Sequence, residues 1–339
     1  RLVGSEMCIR DRRKTRSYAE QYLELRGPDG RLHPDFIQAG AAGEETDPND
    51  VGGPVTGRFA CRGPNLQNQP KRKGGEWVKR LRRCLIATPG WRLVAGDMSQ
   101  EEVRIASLVT RDRKMMADMK AGLLIYKGFA ENIYGRTIDK HRDAMEWNVA
   151  KQCVLSFIWG TGGRSSWAPR LVELDQEQGS GKLTLRDAER AYTRLQKEYA
   201  DIADWRKVIW REAYEEGEVK DVFGRRRLVP KVYHPDRRIK MEGHREAMNF
   251  LIQGPASTIM KKAMIGVAQK FDSLGLEARI LLTIHDEIVA ECPEAEVDTV
   301  AEILYNMTEG LLPIELPIEV AVGKNWGEME EYERIMAYA

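Results

Sequence analysis

The run LLTIHDEIVAEC, Leu281 to Cys292, holds His285, Asp286 and Glu287 between two apolar stretches. Two short β-rich runs that meet at a polar point predict a hairpin. A hairpin turn ordinarily uses Gly, Asn or Pro; here it carries an imidazole and two carboxylates. Acidic groups at the tip of a stiff hairpin offer the oxygen ligands that a hard divalent cation takes. Read alone, three such residues are also what a solvated charged turn looks like. A second carboxylate in matching context weighs against that reading. WRLVAGD, 91–97, reads as a strand ending on Asp97, and the SQEEVRIASLV that follows has Val103, Ala106 and Val109 at helical spacing. A carboxylate at a strand end, before a helix, stands where open sheets place ligand-binding groups. Ser99 and Glu102 form S-x-x-E, the spacing of a capping box, which gives Glu102 a purely structural reading too.

Other stretches supply groups suited to nucleic acid. TGRFACRGPNLQNQP, Thr56 to Pro70, has Arg58 and the amides Asn65, Gln67, Asn68 and Gln69, the side chains that hydrogen-bond base edges and sugars. Lys71, Arg72, Lys73, Lys79, Arg80, Arg82, Arg83 and Arg92 stand against the single acid Glu76. In a nearly neutral protein so one-sided a run is a candidate for phosphate contact, although a charge run is ordinarily a solvated face. Lys151 shares a helix face with Trp147, Leu155 and Trp159. It is either a snorkelling stem or a phosphate ligand and proton donor. Arg245, Asn249 and Gln253 step by four along one stripe of a long helical stretch.

The elements that must hold these groups are mixed. A turn at Gly27-Pro28-Asp29-Gly30 predicts a hairpin within 14–40, and the Gly- and Pro-rich 40–57 predicts a loop. Helices are expected at 112–134, 139–159 and 186–216, with a loop at 160–182. VKDVFGRRRLVP, 219–230, reads as a second hairpin turning at Gly224; helices follow at 242–270 and 294–311, and IEVAVGKNWGEM closes the chain as strand and loop. The order of elements gives an α+β class with an antiparallel sheet. The 339 residues are 42% apolar, enough for a sizeable core, and Lys+Arg 53 against Asp+Glu 52 excludes a basic arm but not a basic groove. No apolar run reaches the ~18 residues of a membrane span. Cys8, Cys61, Cys84, Cys153 and Cys292 are scattered without a CxxC pair, which fits a reducing cytoplasm rather than a disulfide or zinc framework. The opening RLVGSEMCIRDR looks like a translated adapter joined to a reading frame and is set aside from fold reasoning.

Taken in order, the motifs resemble the family A DNA polymerases, the group of bacterial polymerase I and of many phage replicative enzymes. TGRFACRGPNLQNQP resembles that family's TGRLSSxxPNLQNIP, GDMSQEEVRI its DYSQIELRI, and KQCVLSFIWG its KxxNFGxxYG. REAMNFLIQGPASTIMKKAM resembles RxAxNxPxQGxAADIxKxAM, HDE matches HDE, and VGKNWGEM resembles VGxNWxEA. The resemblance implies a right-hand polymerase fold with most of the thumb missing, in which 13–110 and 245–339 form the palm and 111–244 the fingers. It implies template-directed transfer of dNTP to a primer 3′-hydroxyl in DNA replication, with primer-template DNA and dNTP as partners and no membrane. A phage-encoded enzyme would work in the host cytoplasm. Asp97 and Asp286, with the main-chain carbonyl of Met98, would hold two Mg²⁺ ions, and Glu287 would support them. Lys151 would bind the triphosphate and protonate pyrophosphate, and Glu102 would exclude a ribose 2′-hydroxyl. Gln100, Tyr126, Leu155 and Trp159 would complete the nucleotide site. Arg58, Asn65, Gln67, Asn68, Arg82, Arg83, Arg245, Asn249, Gln253 and His285 would contact DNA.

Departures from the pattern cluster on the nucleotide side. Trp147 stands where the family has a triphosphate-binding Arg, Tyr126 where it has a His, Leu155 where it has Phe or Tyr, and Ser156 breaks the Asn-Phe-Gly run. Arg142, nine residues before Lys151, falls on the opposite helix face. Restoring Arg at 147 is therefore expected to speed nucleotide addition. The rival readings are a single-subunit RNA polymerase, against which Glu102 and TGR…NLQN speak, and a DNA-binding polymerase-like module with impaired catalysis. An HD-type phosphohydrolase would need metal ligands that the five His do not supply.

Overall fold

The structure, a computed structural model, describes residues 16–38, 54–69, 75–140, 142–160 and 163–334. The adapter-like string, Lys71 to Lys73 and most of the 40–57 loop lie outside the described residues. In chain order the elements are α1 (16–24), β1 (Asp35–Ile37), β2 (Ala60–Arg62), α2 (Gly75–Arg83), β3 (Trp91–Met98), α3 (Glu101–Thr110), α4 (Arg113–Lys120), α5 (Ile125–Tyr134), α6 (Ala144–Ile158) and α7 (Arg164–Gln178). They continue with α8 (Leu185–Glu198), α9 (Ala200–Glu216), β4 (Glu218–Lys220), β5 (Arg226–Leu228), α10 (Arg237–Ser273), β6 (Arg279–Ile284), β7 (Glu287–Pro293), α11 (Val297–Tyr305), β8 (Ile318–Gly323) and β9 (Glu330–Glu331). The class is α+β. The chain divides into two compact units, 1–99 with 257–339, and 100–256. The sequence placed its divisions at 110/111 and 244/245; the structural divisions fall at the start of α3 and inside α10. The reason is packing: Val109, at the end of α3, joins Ile209, Ala213, Met248, Phe250 and Leu251 in one cluster of the helical unit.

The first unit is built on a five-stranded antiparallel sheet in the order β6-β7-β3-β8-β9. Strand β3 is central, with Ala95 opposite Val289 on β7 and opposite Ala321 on β8. Its alternation explains the composition of WRLVAGDM. Leu93 and Ala95 cover one face with Ile284, Val289 and Trp326. Gly96 turns to the other face against α11, where an added Cβ would come 3.2 Å from the Leu304 Cβ and 3.3 Å from the Ile318 Cγ2. A side chain there would press on α11 and β8, which would have to give by a few tenths of an ångström, so the position before Asp97 favours a residue without one.

Several expectations are corrected. Residues 16–24 are helical, and the turn at 27–30 closes only a single bridge, Arg26 to Leu32. The stretch 112–134 is two helices parted at Ala121 and Gly122, and 186–216 is two helices meeting at Tyr199. The helix expected from 139 starts at Ala144, so Arg142 precedes it rather than lying on its far face. The helix at 242–270 extends over Arg237–Ser273, while that at 294–311 shortens to α11 behind a 3₁₀ turn at Glu294–Glu296. The expected loop at 160–182 contains the 15-residue helix α7. Glycines flank it and Pro169 interrupts it, which hides it in the sequence. Its buried stripe Trp167, Leu171 and Leu174 nevertheless has helical spacing, and Pro169 faces outward.

Glu291 on β7 is a buried carboxylate that ties this unit together. It lies 3.1 Å from Arg31 and 3.1 Å from Arg279, and it accepts hydrogen bonds from the Thr88 amide at 3.1 Å and the Thr88 hydroxyl at 2.9 Å. Burial works to raise its pKa, but the Thr88 hydrogen bonds and Arg31 outweigh burial and hold it below the ordinary carboxylate value. A depressed folded pKa contributes stability above the unfolded value of about 4.3 that is lost as pH falls through the folded one. Glu291→Gln should lower stability by about 1–3 kcal/mol at neutral pH and should flatten the fall of Tm below about pH 4. Thermal melts of both proteins from neutral to acid pH check this; an equally steep acid limb in the variant would contradict it.

Candidate functional site

The hairpin expected at 281–292 is formed by β6 and β7, with Ile284 opposite Glu287 and only His285 and Asp286 in the turn. His285 takes a left-handed φ of 58°, a conformation that a tight hairpin usually gives to Gly. Strain of this kind is tolerated where the surroundings fix it and gathers at functional sites. The turn abuts the end of β3. The Met98 amide donates to the Asp286 carbonyl at 3.0 Å, and Asp97 is the register partner of Glu287 on β7 and of Glu319 on β8. Directly paired residues have Cα atoms roughly 4.5–5.5 Å apart and side chains on one face, so Asp97, Glu287 and Glu319 share an edge. Asp97, His285 and Glu319 are exposed; Asp286 and Glu287 are half-buried, and the Trp326 indole donates to Glu287 at 3.5 Å. Glu319 went unnoticed in the sequence, although the alternation of Ile318, Glu319 and Val320 marks it as the outward residue of a strand.

Among the described residues, no group of three or more His, Cys, Asp or Glu side chains forms a closed metal cage. The Asp97 and Asp286 carboxylates at this edge would offer a metal oxygen ligands only. That suits Mg²⁺, which is usually bound through one or two carboxylates while waters and substrate phosphates complete its shell. Burial pushes the thiols of Cys153 and Cys292 up to about 12, which keeps both protonated at neutral pH.

In the same unit, Arg58, Gln67 and His285 line a small cleft with Phe59, Ser257, Met260 and Thr283, and Gln67 donates to the Thr283 carbonyl at 3.1 Å. Asn65 is a turn former whose side-chain oxygen accepts from the amides of Gln67 at 3.1 Å and Asn68 at 3.0 Å; the Asn68 side chain is exposed. The basic run faces its own chain more than expected. Arg82 stacks over the Trp326 ring at 4.1 Å, Arg83 lies 2.7 Å from Glu328, and Arg92 pairs with Glu294.

The helical unit holds the remaining candidates. The capping box is absent. Gln100, left-handed at φ 57°, occupies the cap position of α3 without a side-chain cap bond, and Ser99 donates its amide to Pro317 and its hydroxyl to Glu319. Glu102 is thereby released from helix capping, and it accepts a hydrogen bond from Gln253 at 3.4 Å. Arg245, Asn249 and Gln253 are all half-buried on α10. On α6, Lys151 is exposed, with its Nζ 5.7 Å from the centre of the Tyr126 ring, while Leu155 and Trp159 are half-buried. The residues standing at the two expected charged positions meet: Trp147 and Tyr126 are both buried and pack edge-to-face at 6.4 Å. The sequence also missed Arg206. Its Nε donates to the Ile158 carbonyl at 3.3 Å and its guanidinium lies 5.1 Å from the Phe157 ring, so it fastens the end of α6 beside Trp159. Burial lowers its pKa to about 10, which leaves it charged at neutral pH.

The family model for DNA polymerase family A matches residues 7–328. The chain belongs to DNA polymerase family A. DNA polymerase I of Chloroflexus aurantiacus is 32% identical over 321 residues, covering 92% of this chain and 31% of that protein. The thermostable DNA polymerase I of Thermus aquaticus is 29% identical, covering 89% of this chain and 33% of that protein. This family A chain thus spans about a third of the curated relatives it matches. Its fold superposes with a TM-score of 0.79 and 25% identity on the POL domain of Pol1 from M. smegmatis, in a complex with DNA primer-template and dNTP, covering 94% of this chain and 52% of that one.

The Tyr126–Trp147 contact changes what an arginine at 147 would do in this family A chain. Trp147 is 8% exposed against a buried tyrosine, and an arginine there would have to be desolvated. Trp147→Arg should lower stability by at least about 2 kcal/mol. Denaturant unfolding measures this; a variant as stable as the parent would show that the position opens to solvent.

Proposed function

We propose that this chain is a catalytic portion of a template-directed DNA polymerase, with the sheet unit as palm and the helical unit as fingers. Family membership carries the reading, and the observation that supports it most directly is the edge where Asp97 on β3 meets the Asp286 turn of β6 and β7. Asp97 and Asp286, with the Met98 carbonyl, would hold two Mg²⁺ ions, and Glu287 would support them. Such ions would supply activation of the primer 3′-hydroxyl and stabilisation of the leaving pyrophosphate in an in-line displacement. The 3′-oxygen gives up its proton to solvent water as it bonds to the α-phosphorus, and the bond to pyrophosphate breaks. Lys151 binds the triphosphate and donates the proton that pyrophosphate takes up. Glu102 meets the sugar and excludes a 2′-hydroxyl, with Gln253 orienting its carboxylate; Gln100, Tyr126, Leu155 and Trp159 complete the nucleotide site. Arg58, Asn65, Gln67, Asn68, Arg82, Arg83, Arg245, Asn249, Gln253 and His285 contact primer and template, and the setting is DNA replication. A module that binds DNA but turns over slowly is favoured by one observation, the buried aromatic pair at the two positions where charge was expected.

Asp97→Asn or Asp286→Asn should reduce single-turnover primer extension by at least about a thousandfold while primer-template affinity stays within about threefold, on the scale of one lost surface contact. Extension at the parent rate in either variant would contradict the metal assignment. Glu102→Ala should raise ribonucleotide incorporation relative to deoxynucleotide by about ten- to a hundredfold, the scale of a single substrate-group discrimination. Because α3 carries no capping box, Tm should hold. A fall in Tm with an unchanged ratio would return Glu102 to a structural role.

A further inference from the structure

The helical unit also contains a cavity of about 580 Å³ bordered by the end of α5, by the start of α6, by the 180–183 loop and by α8. Its size is that of a small-ligand site. Its walls carry Ile133, Tyr134 and Leu183, and its charged rim carries Arg136, Lys182, Arg190 and Arg194 against Glu146 and Asp187. Both carboxylates are already engaged. Glu146 lies 3.0 Å from Arg136, and Asp187 accepts the amide and hydroxyl of Thr184 in the capping box that starts α8. The cations are less committed. Lys182 has no ion pair among the described residues, Arg190 reaches Asp187 only at 3.9 Å, and Arg194 gives one donor to the Asn132 carbonyl. Arg190 and Arg194 stand one helical turn apart on α8, so both guanidinium forks can reach one phosphate or two neighbouring ones.

The loop that presents Lys182 is built around a buried carboxylate. Asp175 at the foot of α7 is fully buried and accepts from the Tyr134 hydroxyl at 2.8 Å, the Ser180 amide at 2.9 Å and the Leu183 amide at 3.0 Å. Burial, then the bond to Asp175, pushes the Tyr134 pKa up, so its hydroxyl stays a donor. Gly179 has to be Gly, because a Cβ would come 2.3 Å from the Asp175 Oδ1. The loop backbone that carries Lys182 is therefore held in place, which lowers the conformational entropy lost on binding.

We propose that this cavity binds a phosphate-bearing ligand of nucleotide size, with Lys182, Arg190 and Arg194 on the phosphate and the Ile133–Leu183 wall against the remainder. The chemistry is shared by a free nucleotide and by single-stranded nucleic acid. The second source rests on the polymerase reading; the first does not. The test compares the parent with the triple variant Lys182→Gln, Arg190→Gln, Arg194→Gln, using a fluorescent dT oligonucleotide by anisotropy over a salt series and dTMP by calorimetry. Loss of three phosphate contacts should weaken the oligonucleotide at least tenfold and flatten its log–log salt slope by about 2, at ~0.7 per contact. Loss of dTMP binding with the oligonucleotide unchanged assigns the site to free nucleotide. Both affinities unchanged in a variant with the parent's Tm overturns the proposal. Asp97→Asn measured alongside separates it from the polymerase reading: extension should vanish there while binding at this cavity stays intact.

Discussion

The structure depends on the antiparallel register of β3 between β7 and β8. That register sets Ala95 opposite Val289 and Ala321, puts the buried Glu291 opposite Leu93, and brings Asp97 level with Glu287 and Glu319. A slip of one residue would turn Asp97 towards α11 and Gly96 towards the charged edge. Two constraints resist the slip. Gly96 is the residue that lets Leu304 and Ile318 close on the sheet, and the Met98 amide holds the Asp286 carbonyl. The acidic edge is thus a consequence of core packing, and the strain accepted at His285 follows from the tight turn that packing allows.

The charges that do not reach this edge are arranged to hold elements together. Glu291 anchors the far end of β7 through Thr88, Arg31 and Arg279. Arg82 and Arg83 fix α2 on the C-terminal Trp326–Glu328 turn, where an added Cβ at Gly327 would come 2.7 Å from the Lys79 carbonyl. A basic run that reads as a candidate for phosphate contact is therefore in part a structural clamp.

Much of this was legible in the sequence because it is local. The β6–β7 hairpin and β3 announce themselves by apolar runs broken at a charged point, and Lys151 by its place in a helical stripe. What was not legible depends on long-range partners. Ser99 and Glu102 have capping-box spacing, but Pro317 and Glu319 draw Ser99 away and Gln100 takes the cap in a left-handed conformation. Tyr126 and Trp147 read as two separate departures, whereas the fold makes them one contact. Asp175 looks like one acid in the polar run ELDQEQ, and only tertiary structure shows it fully buried and organising a loop. Helix α7 is masked in the sequence because its flanking glycines and Pro169 outweigh the signal of its three-residue buried stripe.

The proposed chemistry requires Asp97 and Asp286 to share a single divalent-metal edge fixed by strand register. Electron paramagnetic resonance of Mn²⁺, titrated into the protein with a 3′-dideoxy primer-template and dNTP, tests it without turnover. Mn²⁺ binding should be saturable in the parent, lost in Asp97→Asn and in Asp286→Asn alike, and retained in Glu291→Gln. Parent-like Mn²⁺ binding in either aspartate variant would contradict it.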